Sequence, residues 1–440
     1  MYKVGIVGTG YVGLTTGSCF TDKTGGSYKV VFYDTDHDKI NIIRELKVPF
    51  HEPGLPEMLH GGMKKNLVTA TTNIKDLREC DVIFVCVGTP SNGDSSVDLE
   101  YIRRASKDIG TLIRTNPKYQ LIVIKSTVIP CSTEDTVIPT LIKYSGKKYI
   151  SDFGVCMNPE FLTEGNAVKD GLNPSRIVIG SNDKRSTTRA LSLYEPWRSR
   201  TNIITIDIRT AEMMKYASNA SLASRLGLAN ELARYCHSLG IDSRKVMKVV
   251  GMDPRIGPEY LGAGRGWGGS CFPKDLKGLI HLGEKLDIDV PLLKSVITSN
   301  EIQKTIMVYQ LEKSLGTLNK MVIAVLGLAF KKDTDDVRYS PAIDIIKELK
   351  KRGATIRAYD PKATSNMVRL FPDIEYIESA KDALRDVDGC LIVTDWPEFA
   401  SLTDDDFNLM HTRITTSPNI IEGLPILDPR KVTKFKGISW

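Results

Sequence analysis

Long hydrophobic runs are missing from this sequence. None of its apolar stretches approaches the roughly 20 consecutive apolar residues that a membrane-spanning helix requires. The first strand pattern begins at Lys3, which leaves no room for a signal peptide ahead of it. We therefore expect a cytoplasmic protein that has no membrane partner.

Paired cysteines and clustered histidines are missing as well. The eight cysteines are scattered without a CxxC pair, and several lie in apolar runs such as VIFVCVG. This arrangement predicts reduced thiols and not a disulfide framework. The six histidines have no ligand-like spacing, so we expect no metal site.

The chain has no concentrated basic tract. Its 59 Lys and Arg residues and 53 Asp and Glu residues give a formal net charge of +6, and the basic residues are spread along the chain in doublets. Nucleic-acid binders usually gather such charge into one patch. We therefore expect no nucleic-acid partner, whereas a small anionic ligand suits the charge.

Strand and helix patterns divide the 440 residues into three parts. Short apolar runs separated by helical or turn segments predict a mostly parallel sheet over residues 1–200. Residues 201–316 are predicted to be an all-helical connector, because a proline-free stretch from about 210 to 240 is rich in Ala, Leu, Met and Glu. Strand signals return over residues 317–440. The predicted fold class is α/β: two Rossmann-like, doubly wound sheets joined by a long central helix and a helical connector, with a cleft between the two lobes.

A glycine-rich turn follows the first strand pattern. Gly8, Gly10 and Gly13 form GxGxxG at the start of a helix pattern, where free N–H groups and the helix dipole favour a pyrophosphate. Asp34 ends the second strand pattern, where it can accept a hydrogen bond from a ribose 2′-hydroxyl but would repel a 2′-phosphate. The pattern predicts NAD as the cofactor. The alternative is that the glycines serve only close packing of helix on strand.

A second glycine-bounded segment, GWGGSCFPKD, covers residues 266–275. Cys271 precedes Pro273 at an apparent helix start, where backbone amides can stabilise a thiolate, and Lys274 adds positive charge. Cys271 is therefore a candidate nucleophile. The alternative is that it is a small buried apolar residue, as most lone cysteines are.

Two pairs of polar residues have the spacing of one helical turn. Lys215 and Asn219 lie on the predicted long helix, where they can stabilise an alkoxide and hold a water or a carbonyl oxygen. Their alternative role is as part of a solvated helix face. Glu160 and Glu164 share a face if Asn158 caps a helix there, and the spacing alone favours a structural role at that helix N-terminus.

Ordered motifs along nearly the whole chain resemble those of the UDP-glucose/GDP-mannose dehydrogenase family. Besides the Lys215 and Asn219 helix, they are VGTGYVG at 7–13, EPGL at 52–55, VGTP at 87–90, KSTV at 125–128, NPEFL at 158–162, DPRIG at 253–257, GGSCFPKD at 268–275 and LGLAFKKDTDDVR at 326–338. The resemblance implies an enzyme that oxidises the primary alcohol of a UDP-sugar to a carboxylate in two NAD-dependent hydride transfers.

The resemblance also assigns catalytic roles. Cys271 is implied to attack the bound aldehyde, and the resulting thiohemiacetal loses the second hydride to become a thioester, which water cleaves. Lys215 is implied to stabilise the oxyanion, and the glutamates now gain a functional role instead of a structural one. The catalytic residues implied in this way are Cys271, Lys215, Asn219, Asp275, Glu160 and Thr127.

Binding residues follow from the same resemblance. For the cofactor they are Gly8, Gly10, Tyr11, Val12, Gly13, Asp34, Thr89, Thr127, Lys274 and Arg338. For the substrate they are Glu160, Phe161, Leu162, Glu164, Lys215, Asn219, Arg255, Tyr260, Gly264, Gly268 and Lys331. Arg255 is implied to reach across from a neighbouring subunit, so we expect a homodimer built on the central helix.

One position departs from the family pattern. Many members have an arginine near the end of the chain that helps to hold the sugar nucleotide, and this chain has Leu424 there, after Glu422 and Gly423. The departure leaves the identity of the sugar nucleotide open. The motif GGSCFPKD favours a gluco- or manno-sugar over an N-acetylated one.

Two other functions remain open from the sequence. A two-electron dehydrogenase of the β-hydroxyacid type would leave Cys271 idle and form one NADH per substrate, where the four-electron reaction forms two. A non-catalytic nucleotide-sensing module would bind nucleotide without forming NADH.

Overall fold

The computed structural model describes residues 2–23, 25–411 and 419–440. The chain divides into two compact units. Unit 1 comprises Met1–Ser218 and Lys277–Leu282, and unit 2 comprises Asn219–Leu276 and Gly283–Trp440. No helix in the described ranges is long and apolar enough to cross a membrane.

Unit 1 contains an eight-stranded sheet. Its strands are β1 (Tyr2–Val7), β2 (Tyr28–Tyr33), β3 (Val68–Thr71), β4 (Val82–Val85), β5 (Gln120–Ile124), β6 (Phe153–Met157), β7 (Arg176–Gly180) and β8 (Asn202–Ile206). They lie in the order β3-β2-β1-β4-β5-β6-β7-β8, and all neighbours are parallel except β6 and β7. The helices are α1 (Tyr11–Lys23), α2 (His37–Arg44), α3 (Leu55–Lys64), α4 (Glu100–Ile113), α5 (Ile138–Ser145), α6 (Ala167–Leu172) and α7 (Lys184–Leu193).

The central strands of this sheet are buried on both faces. In β4, Val82 and Phe84 pack into one apolar cluster, while Ile83 and Val85 pack into another. Successive side chains of a strand point to opposite faces, so the two clusters lie on opposite sides of the sheet. Two covered faces are typical of parallel sheets, which explains the uninterrupted apolar runs in the sequence.

Helices connect the first sheet to the second. They are α8 (Ile208–Ser238), α9 (Ser243–Val250), α10 (Phe272–Lys285) and α11 (Pro291–Leu315). The 31-residue α8 confirms the predicted long helix. The prediction that residues 201–316 are entirely helical is wrong at its start, because β8 extends the first sheet to Ile206.

Unit 2 contains a six-stranded sheet. Its further elements are β9 (Val322–Leu326), α12 (Pro341–Lys351), β10 (Thr355–Tyr359), α13 (Thr364–Val368), β11 (Glu375–Tyr376), α14 (Ala380–Ala383), β12 (Gly389–Ile392), α15 (Asp404–Phe407), β13 (Ile420–Glu422) and β14 (Lys436–Gly437). The strand order is β11-β10-β9-β12-β13-β14, and every pair is parallel. The order of the first six strands of unit 1 is repeated, which confirms two doubly wound sheets of Rossmann type.

Candidate active site

The glycine-rich turn lies between β1 and α1. Gly8 has a φ of +97°, and a Cβ added there would lie 2.8 Å from the Cys86 carbonyl oxygen. A Cβ at Gly13 would lie 1.9 Å from the Gly8 carbonyl oxygen, whereas a Cβ at Gly10 would have no heavy atom of a described residue within 4 Å. Close packing therefore explains Gly8 and Gly13. The open space at Gly10 is room for a ligand's phosphates to approach the start of α1.

Asp34 is held against this turn at the end of β2. Its Oδ2 accepts hydrogen bonds from Thr9 N (2.7 Å) and Thr9 Oγ1 (2.8 Å), and its Oδ1 accepts one from Asp36 N (3.0 Å). The carboxylate is thus oriented by the same loop that would hold the pyrophosphate. This arrangement fits NAD, whose adenosine ribose has a free 2′-hydroxyl.

Alanine substitutions at Gly13 and Gly10 should distinguish a glycine that is needed for stability from one that is needed for NAD binding. Gly13→Ala should lower the melting temperature and cost about 1–3 kcal/mol or more, because its Cβ would overlap backbone. Gly10→Ala should fold with a melting temperature near that of the original protein but bind NAD at least about tenfold more weakly. Thermal unfolding and NAD titration check both variants. Equal destabilisation by the two substitutions would contradict the prediction.

Two threonines lie beyond the carboxyl ends of neighbouring strands. Thr89 follows β4 and Thr127 follows β5, and Thr89 Oγ1 donates to the Thr127 carbonyl oxygen (2.8 Å). The strand order reverses between β1 and β4, and open α/β sheets bind their ligands at this point. The position agrees with the cofactor-binding role that we predict for both threonines.

Glu160 and Lys215 form a buried ion pair in unit 1. Lys215 Nζ lies 2.9 Å from Glu160 Oε1, and both side chains are about 95% buried, at 5% and 6% exposure. Glu160 Oε2 accepts a hydrogen bond from Leu162 N (2.6 Å). Burial raises the pKa of the Glu160 carboxyl, but Lys215, the hydrogen bond from Leu162 N and the charge of Lys125 together lower it, so the net shift of the pKa is downward. Glu160 is therefore ionised at neutral pH.

Phe161 contributes a ring beside this pair. Lys215 Nζ lies 5.4 Å from the ring centroid, and the Arg176 guanidinium lies 3.9 Å from it. Glu160, Phe161 and Leu162 also line one cavity of about 220 Å³ in unit 1. Three of the predicted substrate residues thus share a surface that can accept a ligand.

The segment that contains Glu160 is not the helix we predicted. Residues 158–166 have no helical conformation, and α6 begins only at Ala167. The Asn158 side chain does not cap a helix, because it accepts from Lys125 Nζ (2.9 Å) and donates to the Val178 carbonyl oxygen (2.7 Å). Glu160 and Glu164 therefore do not share a helix face, and the structural interpretation based on that spacing is wrong.

Glu52 supports the start of α1 after the glycine turn, a role that we did not predict from the sequence. It is 1% exposed and accepts hydrogen bonds from Gly165 N (2.6 Å), Ala167 N (2.8 Å) and the Tyr11 hydroxyl. It links the first residue of α1 to the segment that follows Glu164. The EPGL motif was a signal for such a residue, because an acidic side chain suits the free N–H groups of a helix start.

Lys125 is a second buried residue that received no role. It is 8% exposed, and burial lowers the pKa of its ammonium to about 8. The Glu160 carboxylate acts in the opposite direction and raises this pKa. Lys125 therefore adds positive charge behind the Glu160 segment, on the KSTV motif.

In unit 2, Cys271 directly precedes α10. All eight cysteines lie in the described ranges, and Cys271 is the exposed one among them. Its loop packs on the Arg338–Tyr339 segment, since Gly269 N donates to the Arg338 carbonyl oxygen (3.1 Å) and a Cβ at Gly268 would lie 2.0 Å from the Tyr339 carbonyl oxygen. The thiol is accessible at a helix N-terminus. The alternative of a buried apolar cysteine is wrong for this position.

Asp275 connects this loop to α8. Asn219 Nδ2 donates to Asp275 Oδ2 (2.6 Å), and Lys274 Nζ lies 2.6 Å from Asp275 Oδ1. Asn219 is 6% exposed and Lys215, one turn earlier on α8, is 4% exposed. The alternative of a solvated helix face is therefore wrong for this pair. Asn219 and Lys274 thus hold the Asp275 carboxylate from two sides, and Asp275 N donates to the Cys271 carbonyl oxygen (2.9 Å).

The remaining predicted residues are in varied surroundings. Arg255 is paired with Asp253 (2.6 Å) and its side chain is 87% exposed, while Arg338 is paired with Asp336 (2.7 Å). Tyr260 has a φ of +59° and is 39% exposed. Tyr11 and Val12 begin α1, and Glu164 and Lys331 are half-buried in their loops.

In the described ranges, no group of three or more His, Cys, Asp or Glu residues is arranged to hold a metal ion.

Leu424 lies beside one of the predicted substrate residues. A Cβ at Gly264 would lie 2.7 Å from Leu424 Cδ2, and Gly264 N donates to Asn230 Oδ1 (2.8 Å). An apolar side chain therefore packs where the resemblance led us to expect a cation.

Known proteins resemble this chain over its full length. The chain is 39% identical over 439 residues to the UDP-glucose 6-dehydrogenase AglM of Haloferax volcanii. The match covers 99% of this chain and 100% of that protein. It is 39% identical over 400 residues to the UDP-glucose 6-dehydrogenase TuaD of Bacillus subtilis, covering 90% and 84% of the two chains.

Solved structures of sugar-nucleotide dehydrogenases are similar to this fold over nearly the whole chain. A UDP-glucose dehydrogenase from Pyrobaculum islandicum superposes with a TM-score of 0.92 at 34% identity, covering 100% of this chain and 98% of that one. A UDP-D-ManNAc dehydrogenase from Pyrococcus horikoshii superposes with a TM-score of 0.85 at 27% identity, covering 99% of both chains.

Three models of one family match successive parts of the sequence. The NAD binding domain matches residues 2–198, the central domain matches residues 209–302 and the UDP binding domain matches residues 324–429. The glycine turn, Asp34 and the two threonines lie within the first of these matches, and NAD is the cofactor. The chain belongs to the UDP-glucose/GDP-mannose dehydrogenase family and is an NAD-dependent oxidoreductase.

Proposed function

We propose that the protein oxidises UDP-glucose to UDP-glucuronate in a four-electron reaction that passes through a thioester on Cys271. The observation that carries this proposal is the exposed thiol at the start of α10, within a loop whose neighbouring polar groups are fixed. An enzyme that stopped at the aldehyde would need only a base and a cofactor, and a nucleophile becomes necessary for the second oxidation. The choice of UDP-glucose rests on the relatives that are 39% identical.

The first oxidation removes a hydride and a proton from the sugar's primary alcohol, and the Asp275 carboxylate accepts the proton. When bound, NAD supplies the hydride acceptor for both oxidations. Lys215 stabilises the negative charge that develops on the alcohol oxygen, and its own charge is maintained by Glu160 at 2.9 Å. Burial of this pair strengthens the interaction, because charges act more strongly away from water.

The second oxidation depends on Cys271. Its thiolate attacks the aldehyde carbon, and the resulting carbon–sulfur bond makes a thiohemiacetal. The carbonyl oxygen becomes an oxyanion in this step, and as it re-forms the carbon–oxygen double bond the second hydride leaves the carbon, so that a thioester remains on the sulfur. The position of the thiol at a helix N-terminus favours the thiolate, and Lys274 adds a nearby positive charge.

Hydrolysis completes the reaction. Water adds to the thioester carbon, the carbon–sulfur bond breaks, and the carboxylate leaves while Cys271 is regenerated. Glu160 and Thr127 position this water, and Asp275, which is oriented by Asn219, accepts the proton that the water loses. The ionised state of Glu160 suits a group that accepts a hydrogen bond from water.

A panel of sugar nucleotides tests the proposed substrate. NADH absorbance should rise fastest with UDP-glucose, and kcat/KM for UDP-galactose, GDP-mannose and the N-acetylated UDP-sugars should be lower by about a hundredfold or more. A higher kcat/KM for any of the other sugar nucleotides would contradict the assignment.

We also propose that the protein forms a homodimer through the second half of α8. Leu228, Leu232 and Tyr235 on α8, and Leu239 directly after its end, recur at helical spacing, and these residues are 57%, 37%, 65% and 70% exposed. Such a row of large exposed apolar residues on one helix is typical of a protein interface. Sedimentation should give twice the chain's 48.8 kDa mass, and a monomer would contradict the proposal.

A further inference from the structure

Arg265 is a buried cation on the loop that leads to Cys271. Arg265 is 4% exposed and lies between Gly264 and Gly266 in the sequence. Arg265 Nη2 donates to the Phe330 carbonyl oxygen (2.6 Å), but Arg265 Nε has no hydrogen-bond partner among the described residues. The same loop holds a second buried donor without a partner in the described ranges, Trp267 Nε1. Buried donors are usually satisfied, so this loop has capacity for an acceptor that the protein itself does not supply.

No carboxylate in the described part of the chain forms an ion pair with Arg265. Burial lowers the pKa of its guanidinium to about 10, and Asp395 partly offsets this effect. Asp395 is itself paired with Lys332 (3.1 Å). Arg265 therefore remains charged at neutral pH, and a desolvated charge of this kind is costly unless a counter-charge is bound.

Arg265 lies at the edge of the six-stranded sheet where ligands are expected. Phe330 follows β9, Asp395 follows β12, and a Cβ at Gly423, which follows β13, would lie 3.0 Å from Arg265 Cβ. These residues mark the carboxyl ends of the strands, and the strand order reverses between β9 and β12. Open α/β sheets bind ligands at this edge. The same part of the chain matches the family's UDP binding domain.

Leu424 is next to this loop through its contact with Gly264. A cation at position 424 would approach the same sheet edge from β13. The chain therefore has an apolar side chain at position 424, and the buried guanidinium of Arg265 belongs to the residue directly after Gly264, which Leu424 contacts.

We propose that Arg265 supplies the positive charge that holds the diphosphate of the sugar nucleotide, in place of an arginine at position 424. The proposal rests on the proposed function for the identity of the ligand as a UDP-sugar. It adds a substrate-anchoring residue that the motifs did not indicate. Arg265 acts on binding and not on the reacting carbon.

The test compares Arg265→Met, Arg265→Lys and the double variant Arg265→Met with Leu424→Arg. Calorimetry gives the Kd of UDP and of uridine, and steady-state assays give KM and kcat. Arg265→Met should weaken UDP binding and raise KM for the sugar nucleotide by about tenfold or more, with kcat changed less than about twofold. Uridine, which lacks the diphosphate, should bind the variant as it binds the original protein. Arg265→Lys should keep UDP binding within about threefold, and Leu424→Arg should restore most of the lost affinity.

Unchanged UDP binding by Arg265→Met, or an equal loss of UDP and uridine binding, would overturn the proposal. If Arg265→Met does not fold, Arg265→Lys decides, because loss of UDP affinity with the charge retained would also overturn it. The Kd of UDP does not require turnover. A protein that binds UDP but does not oxidise UDP-glucose would therefore fail the proposed function while leaving the role of Arg265 testable.

Discussion

Cys271→Ser is expected to abolish formation of the acid. A serine hydroxyl is a much weaker nucleophile at neutral pH than a thiolate, so the thioester route should slow by more than about a thousandfold. NAD binding should be unchanged, because the glycine turn and Asp34, which we expect to hold the cofactor, belong to unit 1, whereas Cys271 belongs to unit 2. Chromatographic detection of the acid and titration with NAD measure the two effects.

Cys131→Ser is the matched control for this variant. Cys131 is the partly exposed cysteine of unit 1, and its backbone N–H donates to Glu212 Oε2 (2.6 Å), a bond that serine retains. This control should form the acid at the original rate. Undiminished acid formation by Cys271→Ser would exclude the assigned role of the thiol.

Glu160→Gln is expected to trap the enzyme-bound intermediate. The substitution removes the charge that pairs with Lys215 at 2.9 Å and that positions the hydrolytic water, while the amide oxygen can still accept from Leu162 N. Hydrolysis should fall by about a hundredfold to ten-thousandfold, the range for loss of a general acid–base group. Intact mass spectrometry after mixing with UDP-glucose and NAD should show a covalent adduct.

Glu212→Gln controls for the loss of a buried carboxylate on the same helix. Glu212 is fully buried on α8 and accepts hydrogen bonds from Cys131 N (2.6 Å) and Thr133 N (2.9 Å). No adduct should accumulate in this variant. Normal turnover of Glu160→Gln without any adduct would refute the proposed role of Glu160.

Elements with a local signal were predicted correctly. The helix predicted from about 210 to 240 is α8, Ile208–Ser238, because a proline-free run of good helix formers decides its length. The glycine turn and Asp34 also follow from a short pattern, since the turn's steric needs are local. The second sheet repeated the strand order of the first, as its strand patterns suggested.

Elements that depend on distant contacts were not predicted. β8 has the sequence NIITI, in which Asn202 and Thr205 interrupt the isoleucines, and it lies at the edge of the sheet with most of its residues exposed. The segment at Asn158 is not a helix because its amide bonds to Lys125 and to Val178, which are distant in sequence. Arg265 is buried where its guanidinium donates to the carbonyl oxygen of Phe330, which is 65 residues away in the sequence. No local periodicity reports such contacts.

The candidate active site depends both on local sequence patterns and on contacts between residues that are distant in sequence. The spacing of Lys215 and Asn219 was visible in the sequence, but their burial was not, and the partners Glu160 and Asp275 come from other elements. From residues alone the solvated-face interpretation remained open. Only the resemblance indicated that these residues act together, and their roles in catalysis remain predictions.

The number of NADH molecules formed per UDP-glucose consumed tests the four-electron mechanism most directly. With limiting UDP-glucose and excess NAD, absorbance gives the NADH formed at completion, and chromatography gives the sugar nucleotide consumed and the acid produced. The mechanism through Cys271 predicts two NADH and one UDP-glucuronate for each UDP-glucose. One NADH per UDP-glucose, with the aldehyde as the final product, would contradict it.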